Sequence, residues 1–278
     1  MPRLLRFALA SILSVGAFAA SAQSAPVYEA YAIRYGTLAN FPVRGLVAGA
    51  DSARRMDVAT MVWLLRGGGR TVLVDAGFYR DEFMKQWKPV DYLRPSDAVA
   101  AFGVPAEQVT DIIVSHVHWD HADGIDLFPN ARIWIQRTEY EYYVGADGEV
   151  LHAGVTKSDA AMFAKLKAEG RVMLVDGDDQ EPIPGIRVYT GGRHTYASQF
   201  AGVRTRAGTV VIASDNCYLY ENLDKHVAIA QTFDAASNLA AQARMGTIAS
   251  KPALIVPGHD PLVFTRFPAV KPGVVRID

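Results

Sequence analysis

Ser115-His116-Val117-His118-Trp119-Asp120-His121 decides how this chain is to be read. Four metal-capable side chains fall within six residues, directly after the apolar stretch Asp-Ile-Ile-Val-Ser at 111–115, which reads as a buried strand. Imidazole nitrogens suit zinc and similar first-row ions, and a carboxylate adds compensating charge. His116 and His118 are two apart, so an extended backbone points both to one side. Asp120 and His121 are adjacent and are expected to diverge, which suits two ions, one on each side of the loop.

Three further groups follow later apolar runs. His194 stands in Gly-Gly-Arg-His after 186–190, Asp215 in Ala-Ser-Asp-Asn after 209–213, and His259 in Val-Pro-Gly-His after 253–256. Strand ends carry sites because a rigid sheet fixes the ligand while the loop leaves room for substrate. Between these points the chain alternates strand and helix signals. Strands are expected at 27–35, 131–136 and 172–175, besides those just named. Apolar runs at 61–66 and 71–74 flank Gly67-Gly68-Gly69 and read as a hairpin. Helices are expected at 96–102 with Ser96 as cap, from 105, through 139–143, at 158–167 and at 233–248. Interleaved elements with an early hairpin imply an α/β protein with mixed sheets.

Taken together, His-Val-His-Trp-Asp-His, Gly-Gly-Arg-His, Ser-Asp-Asn and Pro-Gly-His-Asp resemble the metallo-β-lactamase superfamily over essentially the whole chain after residue 22. The resemblance implies a four-layer αβ/βα sandwich with metals at one edge. It implies that His116, His118 and His194 hold one divalent ion, that Asp120, His121 and His259 hold a second, and that Asp215 bridges them. Zinc is the default; manganese, iron or cobalt suit the same donors. Two divalent ions, two aspartates and a bridging hydroxide leave the site at roughly +1, enough to polarise an ester carbonyl. Ions so held lower the pKa of bound water from 15.7 towards about 7.

Within the superfamily the spacing of His194, Asp215 and His259 resembles the acyl-homoserine lactonase branch. There a tyrosine at the offset of Tyr218 contacts the substrate carbonyl, which implies an oxyanion role, and an aromatic residue at the position of Trp119 walls the pocket. Asp120 is also placed to carry a proton to the leaving alkoxide. Asp75, in Val-Leu-Val-Asp-Ala-Gly, resembles an aspartate behind the ligands that orients a histidine. One departure is plain: the lactonase pattern usually has another histidine soon after His194, and residues 195–199 here read Thr-Tyr-Ala-Ser-Gln. His152 and His226 read as surface or packing residues, Cys217 as a small buried hydrophobe, and Asp260 has no assigned role.

The implied activity is hydrolysis of a lactone, such as an N-acyl-homoserine lactone, by metal-bound hydroxide. The substrate is a small molecule. A β-lactamase is the first alternative, and Asp215 argues against it, since secreted β-lactamases of the superfamily generally lack a bridging carboxylate. A phosphotriesterase or phosphodiesterase uses such a bridge. A di-iron oxidoreductase and a non-catalytic metal binder are further alternatives, separable by iron content and by turnover.

The remaining signals bound the setting. The chain has 278 residues, is 50% hydrophobic and 21% charged, and carries a net charge of −1, without the basic stripe of a nucleic-acid binder. Arg3 and Arg6, the apolar run 7–20 and Ala20-Ser21-Ala22 together read as a secretory signal over residues 1–22. The run is short for a permanent anchor, so no membrane attachment is expected after cleavage. The expectation is a periplasmic or secreted hydrolase domain over 23–278, with net charge −3. Its one cysteine excludes an internal disulfide.

Overall fold

The computed structural model describes residues 25–278; the expected signal segment 1–22 lies outside the described residues. In chain order the strands are β1 (Glu29–Pro42), β2 (Arg55–Gly67), β3 (Arg70–Val74), β4 (Asp111–Ile113), β5 (Arg132–Gln136), β6 (Val172–Val175) and β7 (Gln180–Ile183). They continue with β8 (Ile186–Thr190), β9 (Gln199–Thr205), β10 (Gly208–Ser214), β11 (Ile255–Pro257), β12 (Ala269–Lys271) and β13 (Val274–Arg276). The helices are α1 (Asp81–Trp87), α2 (Pro95–Phe102), α3 (Trp119–Ala122), α4 (Arg137–Tyr143), α5 (Lys157–Ala168), α6 (Tyr220–Asp224), α7 (Ala235–Ile248) and α8 (Val263–Arg266).

Two mixed sheets result, with strand orders β12-β13-β1-β2-β3-β4-β5-β6 and β11-β10-β9-β8-β7. The side-chain alternation of the large sheet explains the layering. Tyr31, Ile33, Val62, Leu64, Leu73 and Ile112 point to a face covered by Val99 of α2, Tyr140 of α4 and Phe163 of α5. Their alternates Ala32, Trp63, Leu65, Val72 and Ile113 point the other way and meet Ile186, Val188, Val203 and Ile212 of the second sheet. The far face of that sheet, through Phe200 and Val211, is covered by Met245 of α7. Helix, sheet, sheet, helix is the order expected, and strands buried on both faces account for their nearly continuous apolar sequence.

Local chemistry fixes several boundaries. Gly68 (φ 56°) and Gly69 (φ 72°) form the two-residue turn between β2 and β3, a left-handed pair that glycine supplies without steric cost. Helix α2 starts at Pro95, one residue before the expected cap Ser96, because proline is preset for a first helical turn. Asp234 caps α7 by accepting from the amides of Ala236 and Ser237. Strand β1 runs seven residues beyond the expected 35, and 252–254 is a single 3-10 turn ahead of β11. Strands β7, β9, β12 and β13 and helices α1, α3, α6 and α8 were not anticipated. Among the described residues no helix is long and apolar enough to cross a membrane.

Candidate metal centre

Strands β3, β4, β8, β10 and β11 deliver Asp75, the 116–121 segment, His194, Asp215 and His259 from their C-terminal ends. All seven expected ligands come together there. His116, His118, His194 and Asp215 form one cluster and Asp120, His121, Asp215 and His259 a second; within each, the potential ligand atoms lie within 4.8 Å of one another. Asp215 belongs to both. Its Oδ2 is 3.4 Å from His194 Nε2, and its Oδ1 is 3.3 Å from His121 Nε2 and 3.0 Å from His259 Nε2.

One expectation is corrected here. Asp120 and His121 do not diverge: Asp120 Oδ2 and His121 Nε2 are 3.5 Å apart and serve the same cluster. The reason is α3, which turns the chain helical directly after His118. A helix rotates about 100° per residue rather than the half-turn of a strand, so neighbours can share a target. The split falls between 116/118 and 120/121.

Hydrogen bonds from the opposite ring nitrogens set the imidazoles. His116 Nδ1 lies 2.9 Å from Ser115 Oγ, whose hydroxyl donates to Asp75 Oδ2 at 2.9 Å. His121 Nδ1 donates to Asp75 Oδ2 (2.8 Å), His194 Nδ1 to the Gln231 carbonyl (2.7 Å), and His259 Nδ1 to the Ala59 carbonyl (3.0 Å). These four therefore present Nε2. His118 presents Nδ1 instead, 3.1 Å from His116 Nε2 and 2.9 Å from His194 Nε2. Asp75, with φ 59°, sits in a left-handed turn and also accepts from the amide of Ser115 and the hydroxyl of Ser214.

The donor set fits two cations. Lone pairs of three imidazoles meet at one point. At the other, His121 Nε2 and Asp215 Oδ1 are buried and have no hydrogen-bond partner. Metal–nitrogen bonds of roughly 2.0–2.1 Å in a tetrahedron place ligand atoms a little over 3 Å apart, which is the spacing seen. The backbone is shaped to the same end. A Cβ on Gly258 would stand 2.6 Å from Asp215 Oδ1, and one on Gly192 would stand 2.5 Å from the Asn238 Cα.

The protein's own charges treat the two clusters differently. Burial, then the surrounding imidazoles, push His116 well below the ordinary histidine range, and burial and His194 take His118 down to about 3. Burial also lowers His194. In the second cluster burial again opposes charge, but Asp215 and Asp120 outweigh it and raise both His121 and His259. Burial likewise works against ionising Asp215, yet His121 and His259 hold it well below the carboxylate range.

Above the clusters lies a cavity of about 270 Å³ with His118, Asp120, Asp215 and His259 as its polar floor. Its walls are apolar: Leu38, Phe41, Leu46, Val58, Trp87 and Trp119. Trp119 thus takes the expected wall position. Tyr218 also lines the cavity, its hydroxyl 3.3 Å from His194 Nδ1. Burial, then Asp215 and Asp120, raise its pKa far above 10 and keep the phenol protonated. Cys217 is fully buried and Sγ contacts the Leu219 carbonyl. Asp260 braces the backbone by accepting from the amides of Tyr220 and Leu262. His152 and His226 are exposed, as expected.

Sequence reading missed Glu139. Its carboxylate is fully buried and accepts from the amides of Val117 (3.2 Å) and Ala197 (2.6 Å), tying the His116/His118 loop to the His194 loop. Burial raises it to about 7, against those hydrogen bonds. Nothing in Thr-Glu-Tyr-Glu-Tyr-Tyr distinguishes it from its exposed neighbour Glu141. Trp87, on the unanticipated α1, was missed for the same want of a local signal.

A two-sheet sandwich whose strand ends converge two sets of three ligands on a shared aspartate is the frame of a dinuclear metalloprotein. The chain belongs to the metallo-β-lactamase superfamily, whose family model matches residues 55–259. Among curated proteins it is similar to N-acyl homoserine lactonase AiiA of Bacillus thuringiensis subsp. kurstaki, 31% identical over 57% of this chain and 58% of the relative. It is also similar to N-acyl homoserine lactonase AttM of Azorhizobium caulinodans, 27% identical over 61% of this chain and 65% of the relative. The match thus spans under two thirds of either relative's length. A solved N-acyl homoserine lactone hydrolase with the product N-hexanoyl-L-homoserine bound at its catalytic metal centre superposes with TM-score 0.73 at 21% identity, over 90% of this chain and 99% of that one. AidC, a dizinc quorum-quenching lactonase, superposes with TM-score 0.64 at 15% identity, over 90% and 93%. At these identities the likeness shows the fold.

Proposed function

We propose that this chain is an exported lactone hydrolase acting with two zinc ions on N-acyl-homoserine lactones or lactones of similar shape. The observation that carries the reading is the pairing of the double donor cluster with an apolar-walled cavity directly above it. That combination suits a polar, hydrolysable ring attached to an apolar chain. The similarity to lactonases points the same way.

His116, His118 and His194 would hold one ion, Asp120, His121 and His259 the other, and Asp215 both. Bound there, the ions supply water ionised near neutral pH and Lewis acidity towards a carbonyl. The chain supplies the rest. The His194 Nδ1 hydrogen is committed to Gln231, so the Tyr218 hydroxyl keeps its own proton for a substrate oxygen and can stabilise charge developing on it. Asp120 lines the cavity floor and its side chain is 13% exposed, against 5% for Asp215. In this reading it would take the proton released from the attacking water and return it to the leaving alkoxide. Phe41, Trp87 and Trp119 hold the apolar chain and exclude water.

The two-faced Asp215 equally suits a phosphotriesterase, and a panel separates the readings. Zinc-loaded protein should open N-hexanoyl homoserine lactone, leave nitrocefin intact, and turn over paraoxon poorly. Tyr218→Phe should lower kcat on the lactone about tenfold to a hundredfold. Efficient nitrocefin or paraoxon hydrolysis without lactone turnover would overturn the assignment. Export rests on the charged, apolar and small-residue order of residues 1–22. The exported protein should begin at residue 23 by terminal sequencing, and an intact Met1 would refute it.

A further inference from the structure

Helices α1 and α3 are both too short to hold themselves. One has seven residues and the other four, and neither has a side-chain hydrogen bond capping its N-terminus. Isolated helices of this length are unstable in water, and the groups at their ends need partners elsewhere. Each finds them on the other. Asp123, the residue that ends α3, is fully buried, and its Oδ2 accepts from the amides of Tyr79 (2.7 Å) and Arg80 (3.0 Å), which lead into α1. Arg80, the residue that begins α1, returns its guanidinium: Nη1 donates to the Asp123 carbonyl at 2.8 Å and pairs with Asp123 Oδ1. Its Nη2 reaches Asp126 Oδ2 at 3.0 Å.

This exchange joins two parts of the site that are distant in sequence. Helix α3 carries Asp120 and His121 of the second cluster, and α1 carries Trp87 of the cavity wall. Aromatic rings tie the same pair of helices. Trp119 of α3 stacks on Phe83 (centroids 5.0 Å apart, planes 24°) and on Trp87 (5.0 Å, 8°). Stacked rings can slide, whereas a two-way set of charge-assisted hydrogen bonds has one geometry. The rings therefore hold the helices together, and Arg80 with Asp123 sets their register. The loops of His116 and His194 lie outside this link and are braced by Glu139 instead.

We infer that Arg80 is a positioning residue for the second metal ion: through Asp123 it fixes α3, and with it Asp120 and His121, against the cavity wall on α1, so that occupancy of that cluster and order of the wall are coupled. This rests on the ligand assignment above and not on which substrate is opened. The coupling is reciprocal: what the wall gains in order from the ion, the ion gains in affinity from the wall.

The test removes the exchange without stranding a buried charge. Arg80→Met alone would leave the Asp123 carboxylate unpaired, so it is combined with Asp123→Asn, whose side-chain oxygen can still accept from the two amides. Asp159, beside them, adds no charge: burial, then Asp123, raise it to about 8 and keep it protonated at neutral pH. Competition with a chelator should show the second ion's affinity reduced about ten- to a hundredfold and the first ion's unchanged. A merely structural role would lower both together. Amide hydrogen exchange gives an independent reading. In the wild type, zinc loading should slow exchange in α1 as well as in α3, and in the double variant in α3 alone. Equal loss for both ions, no loss for either, or zinc protection of α1 that survives in the variant overturns the inference. Should the double variant fail to fold, Arg80→Lys keeps the charge but not the planar fork, and the same pattern should appear at smaller size. The wild-type exchange experiment needs no variant, and zinc that leaves α1 unprotected overturns the inference as well. A wild type that binds fewer than two ions would mean that the ligand assignment has failed, which is distinct from an Arg80 effect.

Discussion

His116, His118 and His194 face one side of Asp215; Asp120, His121 and His259 face the other. The first cluster is built from neutral imidazoles, kept unprotonated by burial and by one another, and its two loops are joined by Glu139. The second holds a carboxylate of its own, raises its histidines, and is backed by Asp75. One half is prepared by desolvation, the other by negative charge. The difference teaches that two cations can be held a few ångströms apart by unlike means, with one aspartate common to both.

The largest effect should come from removing what the halves share. Asp215→Ala should lower metal content in both clusters and reduce turnover at least a hundredfold, whereas His118→Ala should cost similar activity yet leave about one ion per chain. Metal analysis by mass spectrometry separates them, and unchanged stoichiometry in both variants would refute the ligand assignment. A smaller effect should fall on one side only. Asp75→Asn removes the negative charge behind His121 and turns one of its two acceptor oxygens into a donor, and should weaken the second ion's affinity about ten- to a hundredfold. The first cluster, whose histidines Asp75 does not touch directly and reaches through Ser115, should lose less; competition with a graded chelator reads both, and equal loss would erase the asymmetry.

The smallest effect concerns the brace of the first half. Glu139 holds its proton up to about pH 7 in the folded chain, above the ordinary 4.5. Between those values the folded state binds a proton that the unfolded chain has released. Stability should therefore fall as pH rises from about 4.5 to 7 and level off above, by an amount on the order of 3 kcal/mol. Glu139→Gln should flatten that slope. Denaturation midpoints at pH 5 and pH 8 check it, and an unchanged slope in the variant would remove Glu139 as its cause.

Much of this was legible before any coordinates. The buried strands announce themselves as apolar runs, and the ligands stand directly after them, so β3, β4, β8 and β10 and all seven donors could be read. What stayed hidden is tertiary in origin. Gly202 interrupts β9 and the strand has no alternation to read, because both its faces are buried. Helix α1 is seven residues, with Phe83 and Trp87 four apart as its only pattern. Helix α3 is a single turn, and missing it reversed the expected paths of Asp120 and His121. Glu139 is invisible for another reason: its partners are main-chain amides, which leave no mark on sequence.

His118 alone turns its near nitrogen inward. The atom it presents is one bond closer to the backbone than those of His116, His194, His121 and His259. An asparagine amide reaches about as far as Nδ1, and a glutamine amide about as far as Nε2. A neutral mimic of this centre would accordingly be written with asparagine at 118 and glutamine at the other four histidine positions; uniform glutamine would misplace one donor and uniform asparagine four.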